Sequence, residues 1–298
     1  MNILVNNKPL DVSLEAETEL GQIVTGIENW LAEGRMRITD LVIDDAPRPL
    51  TEPETWTHEP ITSIDTIDIT AKRPSDIYYE HLVTVRQYLQ ELLTLDASEE
   101  AADWERQAED YRYVSEALAA LAPDIFPADD AARRALAAAL EKRTAPDSGG
   151  KTDDLAKAVT PILLSINARI AEVEEPRRQA LATARLLADL SPELENLSVA
   201  LQSGKAGEAM ARIVQFSELT SKLIRVLGHL KDIEPDTPAG NEVYDLTTGL
   251  NEALLELVQA LEADDYVLIG DLCEYEITPR VRDVTHAVVR LSQGGAGG

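Results

Sequence analysis

The spacing of apolar residues along this chain changes at Pro74. Upstream the periods are short and mixed. Residues 2–6 (NILVN) read as a strand, and Asn6-Asn7-Lys8-Pro9 carries turn chemistry, because Asn tolerates positive φ and Pro fixes its own. Leu10, Val12 and Leu14 then alternate with Asp11 and Ser13, the period of two of a half-buried strand, so a hairpin is expected over 2–14. Leu20, Ile23, Val24, Ile27, Trp30 and Leu31 fall at helical spacing on one face. Thr18 or a neighbour is the expected cap, and Gly34 the expected left-handed stop. Ile38, Leu41, Val42 and Ile43 predict a third strand, and Ile64, Ile67 and Ile69 a last one. Pro47, Pro49, Pro53 and Pro60 restrict the intervening stretch to loop or sheet edge.

Downstream of Pro74 the period is helical almost throughout. One helix starts at Ser75 or Asp76 and carries Leu82, Val85, Tyr88, Leu89 and Leu92; a second runs from Ser98 through Trp104, Tyr111 and Leu118 to Pro123 and Pro127. A short alanine-rich helix opens at Asp129 or Asp130. TAPDSGGKT (144–152) has linker composition and marks a sub-boundary. Helical spacing resumes over 153–190, with Pro161 and Pro176 each in a first turn or at a kink. Ser191-Pro192-Glu193 reads as a helix start and Ser203-Gly204 as its end. Met210, Ile213, Phe216, Leu223, Val226 and Leu230 define the next face; Val243, Leu250, Leu257, Val258 and Leu261 the one after. Separate segments follow over 266–276 and 279–291.

The fold class is therefore α+β: a small domain at 1–74, a large all-α helical bundle at 75–291, and a flexible Gly-rich tail at 292–298. The order ββαββ, carried by the hairpin at 2–14, the helix at 18–33 and the strands near 38–43 and 64–71, resembles the ubiquitin-like β-grasp. That resemblance implies a docking module. Sulfur carriers and modifiers of that fold use a Gly-Gly directly after the last strand; here Ala71-Lys72-Arg73-Pro74-Ser75 stands there, and Gly297-Gly298 lies in the tail. DYVLIGDLCEYEITP (265–279) resembles a segment recurring near the C-terminus of uncharacterised bacterial helical proteins, and implies no activity.

Composition narrows the function classes. A formal net charge of -27 repels phosphate backbones and anionic lipid, so neither nucleic acid nor membrane is an expected partner, whereas a protein with a basic surface is. Cys273 is the one cysteine, which excludes a disulfide within the chain and a cysteine-based zinc site. The first twenty residues lack a basic stretch leading into a long apolar run, and no window nears the ~18 apolar residues of a membrane helix; a cytoplasmic protein is expected.

Chemistry-bearing motifs are sparse. His58, His81, His229 and His286 are scattered and form neither HExxH nor Glu-x-x-His. Gly150-Lys151-Thr152 matches the close of a P-loop, but Ala145 occupies the leading glycine's position. Asp271 and Glu274, three apart in an acidic stretch, share a helix face and are the candidate Ca²⁺ or Mg²⁺ ligands; the competing reading is a solvated face. Tyr113 falls off the stripe of Trp104 and Tyr111, and with Tyr266 and Tyr275 is a candidate interaction residue. No catalytic or cofactor-binding residue is assigned. The reading favoured is a non-enzymatic bacterial adaptor, chaperone or scaffold. Two alternatives stay open: an enzyme or metal-binding protein whose carboxylates converge inside the bundle, and a self-assembling structural protein, for which a homo-oligomer fits.

Overall fold

A computed structural model describes residues 1–11, 16–95, 101–121, 131–144, 152–203, 205–233 and 238–294. Two compact units, Met1–Thr84 and Val85–Gly298, divide the chain. The class is α+β: a small N-terminal sheet, then a large helical body.

The first unit is built on strands β1 (Asn2–Val5), β2 (Lys8–Pro9), β3 (Arg37–Ile43), β4 (Ala46–Arg48) and β5 (Thr66–Lys72), with helix α1 (Leu20–Glu33) after the first hairpin. Sheet order is β2-β1-β5-β3-β4; β1 runs parallel to β5 and the other pairs are antiparallel. The register sets Ile3 beside Ile67, Val5 beside Ile69, Leu41 beside Ile69 and Ile43 beside Ile67. These side chains share one face because strand residues alternate sides. They pack against Leu20, Ile23, Val24, Ile27 and Leu31 of α1 in a single core.

Two-residue turns close both hairpins, and each places residues at positive φ: Asn6 (52°) with Asn7 (61°), and Asp44 (47°) with Asp45 (63°). Asn and Asp tolerate that region, and such turns match the twist of paired strands. Both leading side chains also tie the sheet. Asn6 donates Nδ2–H to the Ala71 carbonyl and accepts the Ala71 N–H, each at 2.9 Å, extending the β1–β5 ladder by one rung. Asp44 Oδ1 accepts the N–H groups of Asp65 (3.0 Å) and Thr66 (2.7 Å).

Several expectations are corrected here. The turn occupies Asn6-Asn7 alone, and Lys8-Pro9 is already strand; Pro9 is tolerated because β2 is an edge. Val12 and Leu14 lie outside the described residues. The cap of α1 is as expected a neighbour of Thr18: Glu19 is the N-cap, in a capping box with Gln22, whose Oε1 accepts the N–H of Thr18 (2.8 Å) and of Glu19 (3.2 Å). Its end is a Schellman motif in which Arg35 (φ 55°), not Gly34 (φ −84°), takes the left-handed place: Met36 N–H bonds to Leu31 O and Arg35 N–H to Ala32 O. Trp30 is not core but 51 % exposed, because Leu31 beside it fills the inward position.

Helix α2 (Pro74–Thr94) contains the division between units. The helical body continues with α3 (Ala101–Leu121), α4 (Ala131–Thr144), α5 (Thr152–Glu174), α6 (Pro176–Glu195), α7 (Leu197–Gln202), α8 (Ala206–Ile233), α9 (Pro238–Glu262), α10 (Tyr266–Asp271) and α11 (Thr278–Gly294). Helix α6 packs on α8 and α11, and α9 on α11. Their shared core includes Leu187, Leu194, Phe216, Leu223, Leu250 and Val281. Trp104 and Tyr111 are buried as expected, and the Tyr111 hydroxyl donates to Arg133 O at 3.0 Å. Asp129, Asp130, Pro123, Pro127, Gly204 and the centre of the 144–152 linker lie outside the described residues.

Three helix boundaries differ from expectation. Ser191-Pro192-Glu193 starts nothing: α6 runs through it, Ser191 Oγ donates back to Leu187 O (3.1 Å), and Asn196 Nδ2–H caps the Pro192 carbonyl (2.7 Å). A Ser-Pro-acid triplet suits a first turn, but a proline three residues from a helix end forfeits only one bond. The segments near 266–276 and 279–291 are one helical run, joined by a π-helical stretch at Leu272–Ile277. There the Thr278 N–H reaches Cys273 O, five residues back. Pro279 has no N–H to give, and the wider turn ahead of it accommodates that gap. Finally, α11 extends to Gly294, into the stretch expected as tail; 295–298 lie outside the described residues.

Candidate functional site

Helix α9 turns one face of mixed large and small residues inward. Its buried line is Val243, Thr247, Leu250, Ala253, Leu257 and Ala260, which leaves Leu255 (58 % exposed) and Val258 on the solvent side. Val258 was expected on the apolar face; Leu257 and Ala260 hold the buried positions instead. Leu255 and Val258 are three apart and therefore neighbours on the surface. Exposed Glu252 sits three before Leu255, and exposed Glu262 four after Val258.

A Schellman cap ends α9: Asp264 takes φ 52°, and Asp265 N–H bonds to Ala260 O at 3.0 Å. Asp265 then caps α10, its Oδ1 accepting the Leu268 N–H at 3.0 Å. With both caps in place the chain displays Tyr266, Val267 (66 % exposed) and Leu268 before Ile269 and Gly270 turn inward. In the π stretch Leu272, Cys273 and Ile277 are buried, while Tyr275 is 65 % exposed. Burial pushes the Cys273 thiol up to about 12, so it is neutral and no nucleophile at ordinary pH. A hydrogen bond to Glu274 raises the Tyr275 phenol.

The expected site residues thus divide. Tyr113 (66 %), Tyr266 and Tyr275 are all exposed, Tyr113 on α3 and the other two in the run after α9. Asp271 is exposed at the end of α10, and Glu274 engages Tyr275. Among the described residues no group of three or more His, Cys, Asp or Glu is set to hold a metal ion, so this pair gains no third ligand.

Sequence reasoning missed how far the local charge extends. From Asp232 through Pro279 there is no Lys, Arg or His, against thirteen Asp and Glu. The signal was a simple count, hidden because the acids are spread over three helices rather than run together.

A second feature lies between α5 and α8. Glu172 is buried and gripped by two guanidiniums: Arg169 Nη1–H donates to Oε2 (3.0 Å), Arg225 Nε–H to Oε2 (3.3 Å) and Arg225 Nη2–H to Oε1 (3.5 Å). An open cavity of about 450 Å³ adjoins them, with Ser165, Ser217, Ser221 and Glu218 on its walls. The Glu172 carboxylate engages a guanidinium from each helix, so the cluster acts as a latch between the two. Burial keeps His229, one turn beyond Arg225, below its usual 6.5; Asp232 draws it up and Arg169 pushes it down.

No helix among the described residues is long and apolar enough to cross a membrane. Residues 1–73 match the family described as the TP0873 N-terminal domain, and residues 181–286 one described as a domain of unknown function (DUF8042). No solved structure matches the chain. Over 104 residues it is 29 % identical to an uncharacterised protein of Treponema pallidum (strain Nichols), a match covering 34 % of this chain and 52 % of that protein. The chain spans about half the length of that relative, and its first unit and the segment from α6 to α11 are what resemble known families.

Proposed function

We propose that this is a non-enzymatic interaction protein of the adaptor, chaperone or scaffold kind, working in the bacterial cytoplasm on a protein partner with a basic surface. One observation carries the reading: large apolar side chains stand out of the fold where every ionisable neighbour in the sequence is acidic, at Leu255, Val258, Tyr266, Val267, Leu268 and Tyr275. Exposed aromatic and aliphatic residues among charges are what protein interfaces use as anchors. A net charge of -27 speeds encounter with basic proteins and opposes nucleic acid and anionic lipid.

The N-terminal unit has the role of dock in this proposal, as a ubiquitin-like β-grasp. The parallel β1–β5 pair at the sheet centre and the single helix covering one face support that fold. Trp30, exposed on α1, is the anchor proposed for it.

The test is affinity capture with the intact chain as bait, at low and at high salt, beside Trp30→Ser and Tyr275→Ser variants. A defined protein retained at low salt, weakened at high salt and lost with one of the two variants is the expected result. Capture of nothing by the wild type, or turnover of a substrate by the purified chain, overturns the reading.

A further inference from the structure

Resting on the interaction reading above, we propose that the C-terminal half of α9, with α10 beyond it, docks an amphipathic helix of the partner whose apolar seam is flanked by Lys and Arg. The seam follows from α9 itself. Leu255 and Val258 form an uncharged step on the outward face, bracketed by Glu252 and Glu262, and apolar exposure resumes at Tyr266, Val267 and Leu268, four residues past the helix end. Leu255 and Val258, three residues apart on one helix face, offer a contact along which a second helix can lay its own seam.

The flanks decide which helix. Glu252, Glu256, Glu262, Asp264 and Asp265 are all exposed, and the stretch from Asp232 to Pro279 supplies no positive charge. An acidic or neutral helix would place its flanking charges against uncompensated carboxylates, whereas Lys and Arg flanks pair with them. The nearest bases in sequence are already engaged: the Lys231 ammonium lies 3.7 Å from the Tyr244 ring centre, and Arg280 pairs with Glu276. A second copy of this chain is a poor occupant, since it would bring the same acidic flanks to the contact.

Fluorescence anisotropy tests this with the intact chain and three labelled synthetic helical peptides: leucine seam with lysine flanks, the same seam with glutamate flanks, and lysine flanks with no leucines. The first is expected to bind about tenfold or more tightly than the others, with an affinity that falls as salt rises. Leu255→Asp with Val258→Asp removes about tenfold of that affinity, and circular dichroism checks that these exposed positions leave the fold intact. Glu252→Lys with Glu256→Lys switches preference toward the glutamate peptide. Equal binding of the leucine-free peptide, or undiminished binding by the Asp double variant, overturns the proposal. If the captured cellular partner stays bound to the Asp double variant, this face is wrong while the interaction reading stands; if neither peptide nor cellular partner binds the wild type, both fall. Sedimentation showing a dimer that the Asp double variant dissolves assigns the face to a second copy and also overturns it.

Discussion

Asp264 occupies a left-handed position, φ 52°, that glycine adopts at no steric cost, and it places a negative charge at the negative end of α9. Both effects oppose the native aspartate. Asp264→Gly should therefore raise stability by ~1 kcal/mol, seen as a higher urea midpoint at unchanged slope. His229 gives a residue-scale pH dependence. Its folded pKa is held below 6.5 by burial, so the folded protein takes up its proton less readily than the unfolded chain. The associated stability is complete above about pH 6.5 and is lost as pH falls from there through the folded pKa. Wild type should lose more stability between pH 7.5 and 5.5 than His229→Gln, in paired urea titrations at the two pH values. Reading single residues from sequence worked where spacing alone decides, as for Leu20, Ile23 and Ile27. It failed for Trp30 and Val258, where the adjacent Leu31 and Leu257 took the inward place.

At the scale of elements, α1 contains two glycines with opposite consequences. A Cβ on Gly21 would stand 2.9 Å from Thr57 Cβ and 3.0 Å from its carbonyl oxygen, and the Gly21 N–H is bonded to that oxygen. The approach pins the loop carrying buried Trp56 to the helix start, so Gly21→Ala should cost about 1–2 kcal/mol by overpacking. A Cβ on Gly26 meets nothing within 4 Å, and Gly26→Ala should gain up to about 1 kcal/mol from helix propensity. Thermal midpoints of the two variants moving in the same direction would contradict this assignment. Most element types were legible, since amphipathic periods dominate both units; the short edge strands β2 (Lys8–Pro9) and β4 (Ala46–Arg48) were not, because their prolines read as turn or loop. Joins were not: Ser191-Pro192-Glu193 and Thr278-Pro279 look like breaks, because local grammar records the missing proline N–H and not the neighbouring groups that absorb it.

For the whole molecule, the α+β plan was readable from the change of period at Pro74, while the cluster of Arg169, Glu172 and Arg225 was not. Arg169 and Glu172, three apart, look like a surface pair; in the fold both are buried, and Arg225 of α8, over fifty residues away, joins them. Glu172→Gln leaves two guanidiniums around a neutral amide and should destabilise the helical body by about 3 kcal/mol, the low end for a buried pair because Arg225 keeps partial exposure. An unfolding midpoint within error of wild type would show that water reaches the pair freely. The absence of Lys and Arg from residues 232–279 has an analytical consequence as well. Trypsin cuts after Lys and Arg, so nothing between Lys231 and Arg280 is open to it, folded or unfolded. The proposed docking helix, its cap and the π stretch leave any tryptic digest as one uncut peptide, residues 232–280, within which a cross-link cannot be bracketed. A protease that cuts after glutamate divides the same stretch at Glu252, Glu256 and Glu262 among other sites, and so resolves the face into segments of four and six residues where trypsin returns a single block.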